Sequence, residues 1–158
     1  MHPHEKVIET FYSAFQKRDA LAMKDCYDDD AEFSDPVFQN LKGKHVSAMW
    51  RMLCERGKDL KIEFSDIQAD EHAGKAHWEA VYTFSGTGRK VHNKIDAAFE
   101  FKNGKIVRHK DVFDLWQWTK MALGFKGLLL GWTPMVQNAI RKQADQSLEK
   151  FIKHENIS

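Results

Sequence analysis

The segment FEFKNGKIVRHKDVFD, residues 99–114, contains the pattern that decides the fold. Its centre, KNGK, is typical of a tight turn, and the residues on either side predict two antiparallel strands. Because strand side chains alternate between two faces, His109 and Asp111 are predicted to share a face with Val107 and Phe113. The opposite face would carry Ile106, Arg108, Lys110 and Val112. A histidine and an aspartate between apolar neighbours predict polar groups inside a pocket.

The chain before this segment predicts more strands of the same sheet. Residues 60–69, 75–84 and 90–101 are strand candidates, and residues 105–114 are the fourth. The turns between them contain glycine and are short, so neighbouring strands are expected to pair antiparallel. One face of the second strand carries only apolar or aromatic side chains, which are Trp78, Ala80, Tyr82 and Phe84.

Helices are predicted before and after these strands in the chain. The first helix has apolar residues at helical spacing and Pro3 at its entry. Asp19 can cap a short second helix, and a third helix begins after Gly43. Residues 31–38 read as a short strand, in which Pro36 excludes a central position in a sheet. Thr133 and Pro134 begin a long last helix, whose basic residues are expected to be solvated. Helices followed by a strand meander predict an α+β fold with helices packed on one face of the sheet.

Composition excludes several classes of protein. The chain has 158 residues, 42% of them hydrophobic and 30% charged, with a net charge of +1. This predicts one folded domain and argues against a nucleic-acid partner, which needs a clustered basic face. Cys26 and Cys54 are far apart, which favours a reduced intracellular protein. The N-terminus has no apolar signal core and the apolar run 121–132 is too short for a membrane span, so a cytoplasmic location is expected.

The order of elements resembles the nuclear transport factor 2-like superfamily, in its SnoaL-like and ketosteroid isomerase-related group. The resemblance lies in FYSAFQKRDALAMKDCYDDDAEFSDPVF (11–38) and in the closing hairpin FEFKNGKIVRHKDVFD, and it covers roughly residues 5–118. It implies a cone-shaped, strongly curved, mixed or antiparallel sheet wrapped on the N-terminal helices, a buried cavity and a homodimer. Residues 1–118 would form this domain, and residues 119–158 a C-terminal helical extension packed on it.

Two activities of that superfamily lack residues here. Asp35 matches the general base of ketosteroid isomerases, but Phe11 stands where their tyrosine would be. Asp96, the candidate second acid, is shifted by one residue and therefore predicted on the other face of its strand. Asp111 matches a catalytic carboxylate of limonene-epoxide hydrolases, but Trp78 and Ala80 replace the arginine and aspartate that those enzymes also use.

The polyketide cyclases require fewer catalytic groups, namely an acid–base carboxylate or histidine in a hydrophobic cavity. Three residues of this chain could supply such groups. Asp35, His109 and Asp111 would provide acid–base catalysis without a cofactor in a hydrophobic cavity. No third ligand accompanies His109 and Asp111, so no metal site is predicted. Structural roles stay open for the same residues: a turn for Asp35, a bond to a tryptophan N–H or a helix N-terminus for Asp111, and a satisfied buried side chain for His109.

Two functions follow from these observations. The first is a small-molecule enzyme, an acid–base isomerase, cyclase or hydrolase, acting on a hydrophobic compound. The second is a noncatalytic ligand-binding or dimerisation module. The residues expected to line the pocket are Phe11, Phe15, Tyr27, Phe33, Trp50, Trp78, Tyr82, Phe99 and Phe113. The apolar run FKGLLLGWTP (125–134) is expected to cap the open end of the cone, to pack on a partner subunit or to touch a membrane surface.

Overall fold

The computed structural model describes residues 1–158 as six helices and one six-stranded sheet. The helices are α1 (Pro3–Gln16), α2 (Ala20–Asp25), α3 (Lys44–Arg56), α4 (Leu115–Leu123), α5 (Phe125–Leu130) and α6 (Pro134–His154). The strands are β1 (Tyr27–Ser34), β2 (Leu41–Lys42), β3 (Lys61–Ala69), β4 (Ala73–Phe84), β5 (Arg89–Lys102) and β6 (Lys105–Val112).

The sheet has the order β2-β1-β6-β5-β4-β3. Strands β3 to β6 form the predicted antiparallel meander, whereas β1 runs parallel to β6. The sheet is mixed and strongly curved, which confirms the predicted α+β class and the cone shape. Its inner face packs against α1 and α3, and the outer face of β5 carries charged and polar residues, Asp96 among them as predicted.

Most predicted helix ends are confirmed by the capping contacts. Asp19 accepts a hydrogen bond from the amide of Ala22, and Thr133 accepts one from the amide of Val136. Gly43 precedes α3 with a φ of 55°, a left-handed conformation that glycine adopts without a steric penalty. The first strand differs from its prediction, because it begins at Tyr27 and ends at Ser34, before the Asp-Pro turn.

One prediction for the closing hairpin is wrong. Ile106 is fully buried and Val107 only partly, although alternation along an unbroken strand places Val107 on the inner face. The pairing of β5 with β6 shifts register between Glu100 and Phe101, and such an irregularity moves the following side chains to the other face. His109 and Asp111 lie beyond the irregularity and point inward, each with 2% of its surface exposed.

The core lies between the inner face of the sheet and the helices. It is rich in aromatic side chains, and Trp50 of α3 is among its largest fully buried members. Helix α6 contributes Leu148, Phe151 and Ile152 to the same cluster. Cys26 and Cys54 are buried and free. None of the helices has the length and hydropathy that crossing a bilayer requires.

Candidate functional site

A buried hydrogen-bond network surrounds Asp111 at the end of β6. His109 Nε2 lies 2.9 Å from Asp111 Oδ1, and Trp78 Nε1 donates to the same oxygen at 3.3 Å. Behind the histidine, Tyr27 Oη lies 2.7 Å from His109 Nδ1, and Trp50 Nε1 donates to that hydroxyl at 2.8 Å. The network therefore joins α3, β1, β4 and β6 through side chains that are all buried.

The direction of these bonds follows from their donors. The indole of Trp50 has only an N–H to give, so the Tyr27 oxygen accepts it and the hydroxyl hydrogen points to His109 Nδ1. Nδ1 is then an acceptor, and Nε2 carries the hydrogen that is donated to Asp111. This assignment satisfies every donor of the network and places the imidazole N–H of His109 against the Asp111 carboxyl group.

Aromatic rings fix the position of His109. Phe99 lies 4.4 Å from its ring centroid, Phe33 lies 5.0 Å away and Phe11 5.6 Å away. The plane of Trp50 is within 17° of the imidazole plane. These rings pack around the buried imidazole, whose Nε2 lies 2.9 Å from Asp111 Oδ1.

Asp35 lies in the turn that follows β1. Its Oδ1 accepts hydrogen bonds from the amides of Val37 at 2.7 Å and Phe38 at 2.6 Å, which is the turn role left open by the sequence. Burial raises the pKa of the Asp35 carboxyl to about 7; the two amides lower it, and the charge of Asp111 adds to the rise. Arg141 of α6 donates to the Pro36 carbonyl at 2.9 Å, so this basic side chain is not simply solvated as predicted.

Asp35 and Asp111 border one cavity of about 310 Å³. Fourteen of its 21 lining residues are hydrophobic, and the inner face of β4 supplies Trp78, Ala80, Tyr82 and Phe84. Helix α4 closes one side with Trp118, whose Nε1 donates to Tyr82 Oη at 2.7 Å. A larger, open groove of about 810 Å³ lies beside Glu32, Lys42 and Arg108 and is lined mainly by polar residues. The smaller cavity is the candidate site because the buried Asp111 opens onto it.

The structure divides the residues that were expected to line the pocket into two groups. The cavity wall contains Phe15, Trp50, Trp78, Tyr82 and Phe113. The remaining four, Phe11, Tyr27, Phe33 and Phe99, pack around His109 instead. Of the three expected catalytic residues, Asp35 and Asp111 border the cavity, and His109 lies behind Asp111. Asp35 and His109 also border the larger groove.

Tyr12 carries a buried hydroxyl and was not among the residues predicted to line the pocket. Its side chain is fully buried beside Trp78, and its Oη has no hydrogen-bond partner. Burial, with the nearby charge of Asp111, raises the pKa of Tyr12 well above its ordinary value. The apolar stripe of α1 contained the signal, because Ile8 and Phe15 lie four residues before and three after Tyr12. No group of three or more histidine, cysteine or acidic side chains forms a metal-binding cluster.

The fold and the cavity define a cone-shaped α+β protein with carboxylates facing an apolar interior. The model of the SnoaL-like domain matches residues 8–109, and the chain belongs to this family, within the nuclear transport factor 2-like superfamily. No match was found among the curated proteins.

Several solved structures share this fold. An epoxide hydrolase of M. tuberculosis, described as similar to limonene-epoxide hydrolase, is 23% identical; the match covers 85% of this chain and 95% of that chain, with a TM-score of 0.61. A putative polyketide cyclase from Pseudomonas putida is 19% identical. The match covers 75% of this chain and 97% of that chain, with a TM-score of 0.64. TerC, co-crystallised with polyporic acid, is 15% identical. The match covers 76% of this chain and 98% of that chain, with a TM-score of 0.65. At these identities the comparisons establish the fold only.

Proposed function

We propose that this protein is an acid–base enzyme without a cofactor that acts on a small, largely apolar carbonyl compound. The observation that carries the proposal is the pair of carboxylates, Asp35 and Asp111, that border one apolar cavity in different environments. When the surroundings of two carboxyl groups separate their proton affinities, one can serve as the base and the other as the acid.

Asp111 is the proposed general base. Its Oδ1 accepts hydrogen bonds from His109 and Trp78, which hold the carboxyl group in place. Its Oδ2 accepts no hydrogen bond, so this oxygen is free to take a proton from a substrate carbon. The apolar wall removes water from the carboxylate, which strengthens its interaction with a substrate proton.

Asp35 is the proposed general acid. With a pKa raised to about 7, it retains a proton near neutral pH. Since Oδ1 is occupied by two amides, the acidic hydrogen resides on Oδ2 and can be donated to the oxygen of a substrate carbonyl. Donation to that oxygen would stabilise the enolate formed when Asp111 removes the neighbouring proton.

His109 and Tyr27 are positioning residues in this proposal. They reach the substrate only through Asp111, because neither borders the cavity. The bond to His109 keeps Asp111 oriented while it takes the substrate proton. The names of the structural neighbours, polyketide cyclase and epoxide hydrolase, support an acid–base reaction on a small molecule without identifying it.

Hydrogen–deuterium exchange tests the proposal without knowledge of the product. The ketone 2-tetralone is incubated with the protein in deuterated buffer, and loss of the proton signals next to the carbonyl is followed by NMR. Wild type is expected to accelerate exchange above buffer, and Asp111→Asn to lower the protein-dependent rate by about 10²–10⁴-fold, the usual contribution of a general base. Asparagine retains an oxygen that accepts from His109, so the fold should persist.

The pH profile and a surface variant complete this test. The wild-type rate should fall as pH rises through about 7, because Asp35 then loses the proton it donates, and Asp35→Asn should remove that dependence. Asp96→Asn changes an acid on the outer face of the sheet and should leave the rate unchanged. Exchange that persists in Asp111→Asn, or its absence in wild type, would overturn the enzymatic proposal.

A noncatalytic ligand-binding module is the alternative, and the turn role of Asp35 favours it. The Val37 and Phe38 amides account for one oxygen of Asp35 without any catalytic purpose. Retention of 2-tetralone by a protein that causes no exchange would support this alternative. Three expectations stay predictions: a domain of residues 1–118 with a helical extension, a homodimer, and a cytoplasmic location. Sedimentation of the purified chain tests the homodimer.

A further inference from the structure

Helix α5 displays apolar side chains to solvent. Between 47% and 76% of the surface is exposed at six large residues in or near it, named here the apolar ridge: Phe125, Leu128, Leu129, Leu130, Trp132 and Met135. Large apolar side chains that are contiguous and exposed mark interaction sites in folded proteins. Neither the cavity nor the proposed chemistry uses the ridge.

Close packing behind the ridge holds it outward. A Cβ atom added at Gly127 would lie 1.9 Å from the Thr119 carbonyl oxygen, and one added at Gly131 would lie 1.9 Å from Thr119 Oγ1. Only glycine allows α5 to lie this close to α4. The two glycines are four residues apart and so occupy one face of the helix, which directs Leu128, Leu129 and Leu130 away from α4.

The shape of the ridge favours a deformable partner. Successive residues of a helix are about 100° apart, so three consecutive leucines cover roughly 200° of its circumference. Each of the three is about half exposed, so apolar surface extends around that part of the helix. A rigid, flat partner would cover one side of it only, whereas the acyl chains of a lipid layer can surround it.

The segment that carries the ridge has charge of a single sign. Residues 115–144 contain no aspartate or glutamate, and their ionisable side chains are Lys120, Lys126, Arg141 and Lys142. Arg89 adds another cation beside α4, where its Nε donates to the Met121 carbonyl at 2.9 Å. The whole chain is nearly neutral, so this is a local concentration of positive charge. Basic residues next to an apolar helix are complementary to anionic lipid headgroups.

The polar groups of the ridge are already satisfied. Trp132 Nε1 donates to the Leu129 carbonyl at 2.9 Å, and Trp116 Nε1 donates to the Leu128 carbonyl at 3.2 Å. A donor without a partner in hydrocarbon is strongly unfavourable. Both indole rings can therefore enter the headgroup boundary without leaving an unpaired N–H.

We propose that the apolar ridge docks the protein on an anionic lipid surface, with α5 lying in the plane of the interface. The inference goes beyond the proposed function and stands without it. It also places the cavity close to the lipid, because α4 carries Trp116 beside the ridge and Trp118 in the cavity wall. A lipophilic compound would have a short path from the bilayer to the site.

Vesicle flotation tests the docking. The full chain is mixed with vesicles of phosphatidylcholine alone, or of phosphatidylcholine containing one third phosphatidylglycerol, and the fraction that floats is measured at low and physiological salt. Wild type should float with the anionic vesicles, and less so as salt rises. Leu129→Glu should lower the partition coefficient at least about tenfold, since it removes apolar contact and adds a repelled charge.

Matched variants separate docking from other effects. Leu21→Glu makes the same change at another exposed leucine, on α2, and should leave flotation unchanged. Lys126→Gln should weaken binding to anionic vesicles about fivefold, the equivalent of about 1 kcal/mol for one lysine at such a surface. Wild type that stays unbound with both vesicles overturns the proposal. A dimer in sedimentation that Leu129→Glu dissociates, without flotation, would assign the ridge to a second copy of the chain instead.

Discussion

The tryptophans of the cavity network and those of the apolar ridge are chemically identical and are used in opposite ways. Trp50 and Trp78 are buried, and their N–H groups donate to the side chains of Tyr27 and Asp111. Inside the cone, each indole thus holds a polar group in place. The network depends on the hydrogen bond as much as on the ring.

At the ridge, Trp132 and the neighbouring Trp116 of α4 donate to backbone carbonyls of α5. Their hydrogen bonds hold the indoles against that helix, and the rings remain partly exposed as apolar surface. The difference teaches that burial, and not residue type, decides whether an aromatic side chain stabilises a site or presents a surface. Each of the following variants tests one side of this comparison.

The largest effect is expected for Trp50→Ala. Its ring is almost wholly buried, so its removal should leave a cavity and break the bond to Tyr27, lowering the free energy of unfolding by about 3–5 kcal/mol. Trp132→Ala, on the exposed ridge, should change that free energy by no more than about 0.5 kcal/mol. Urea denaturation of both variants measures the two values, and similar losses would contradict the comparison.

A smaller effect is expected for the two buried tyrosines of the interior. Tyr27→Phe should cost about 1–3 kcal/mol, because Trp50 Nε1 and His109 Nδ1 would both lose a partner. Tyr12→Phe removes a hydroxyl that bonds to nothing and should be neutral or stabilising. Thermal and urea unfolding decide the ranking; a greater loss in Tyr12→Phe would show that the hydroxyl has a partner after all.

The smallest effect concerns the packing that exposes the ridge. Gly127→Ala should lower the free energy of unfolding by about 1–2 kcal/mol, since overpacking costs more than the gain of about 1 kcal/mol in helix propensity. Leu128→Ala, the exposed neighbour on the same helix, should be nearly neutral. Stabilisation by Gly127→Ala in urea denaturation would show that α5 is not held against Thr119.

Local patterns were sufficient for most elements of the fold, but not for β2 and α5. The meander, the helix caps at Asp19 and Thr133 and the inward position of His109 and Asp111 each follow from spacing within a few residues. The burial of Ile106 in place of Val107 was not predictable, because the strand irregularity depends on how β5 and β6 pair. Tyr12 was missed for a related reason: helical spacing shows that a side chain is buried but not which group it meets.

The chain by itself determined the class of fold, the family resemblance and the candidate acids, because these depend on local spacing and residue type. Only the tertiary structure decided that Trp50, Tyr27, His109 and Asp111 form one network, since they come from strands and helices distant in sequence. It also decided that the leucines of α5 face solvent. That outcome depends on contact between Gly127 and Thr119, two residues on different helices, which no periodicity encodes.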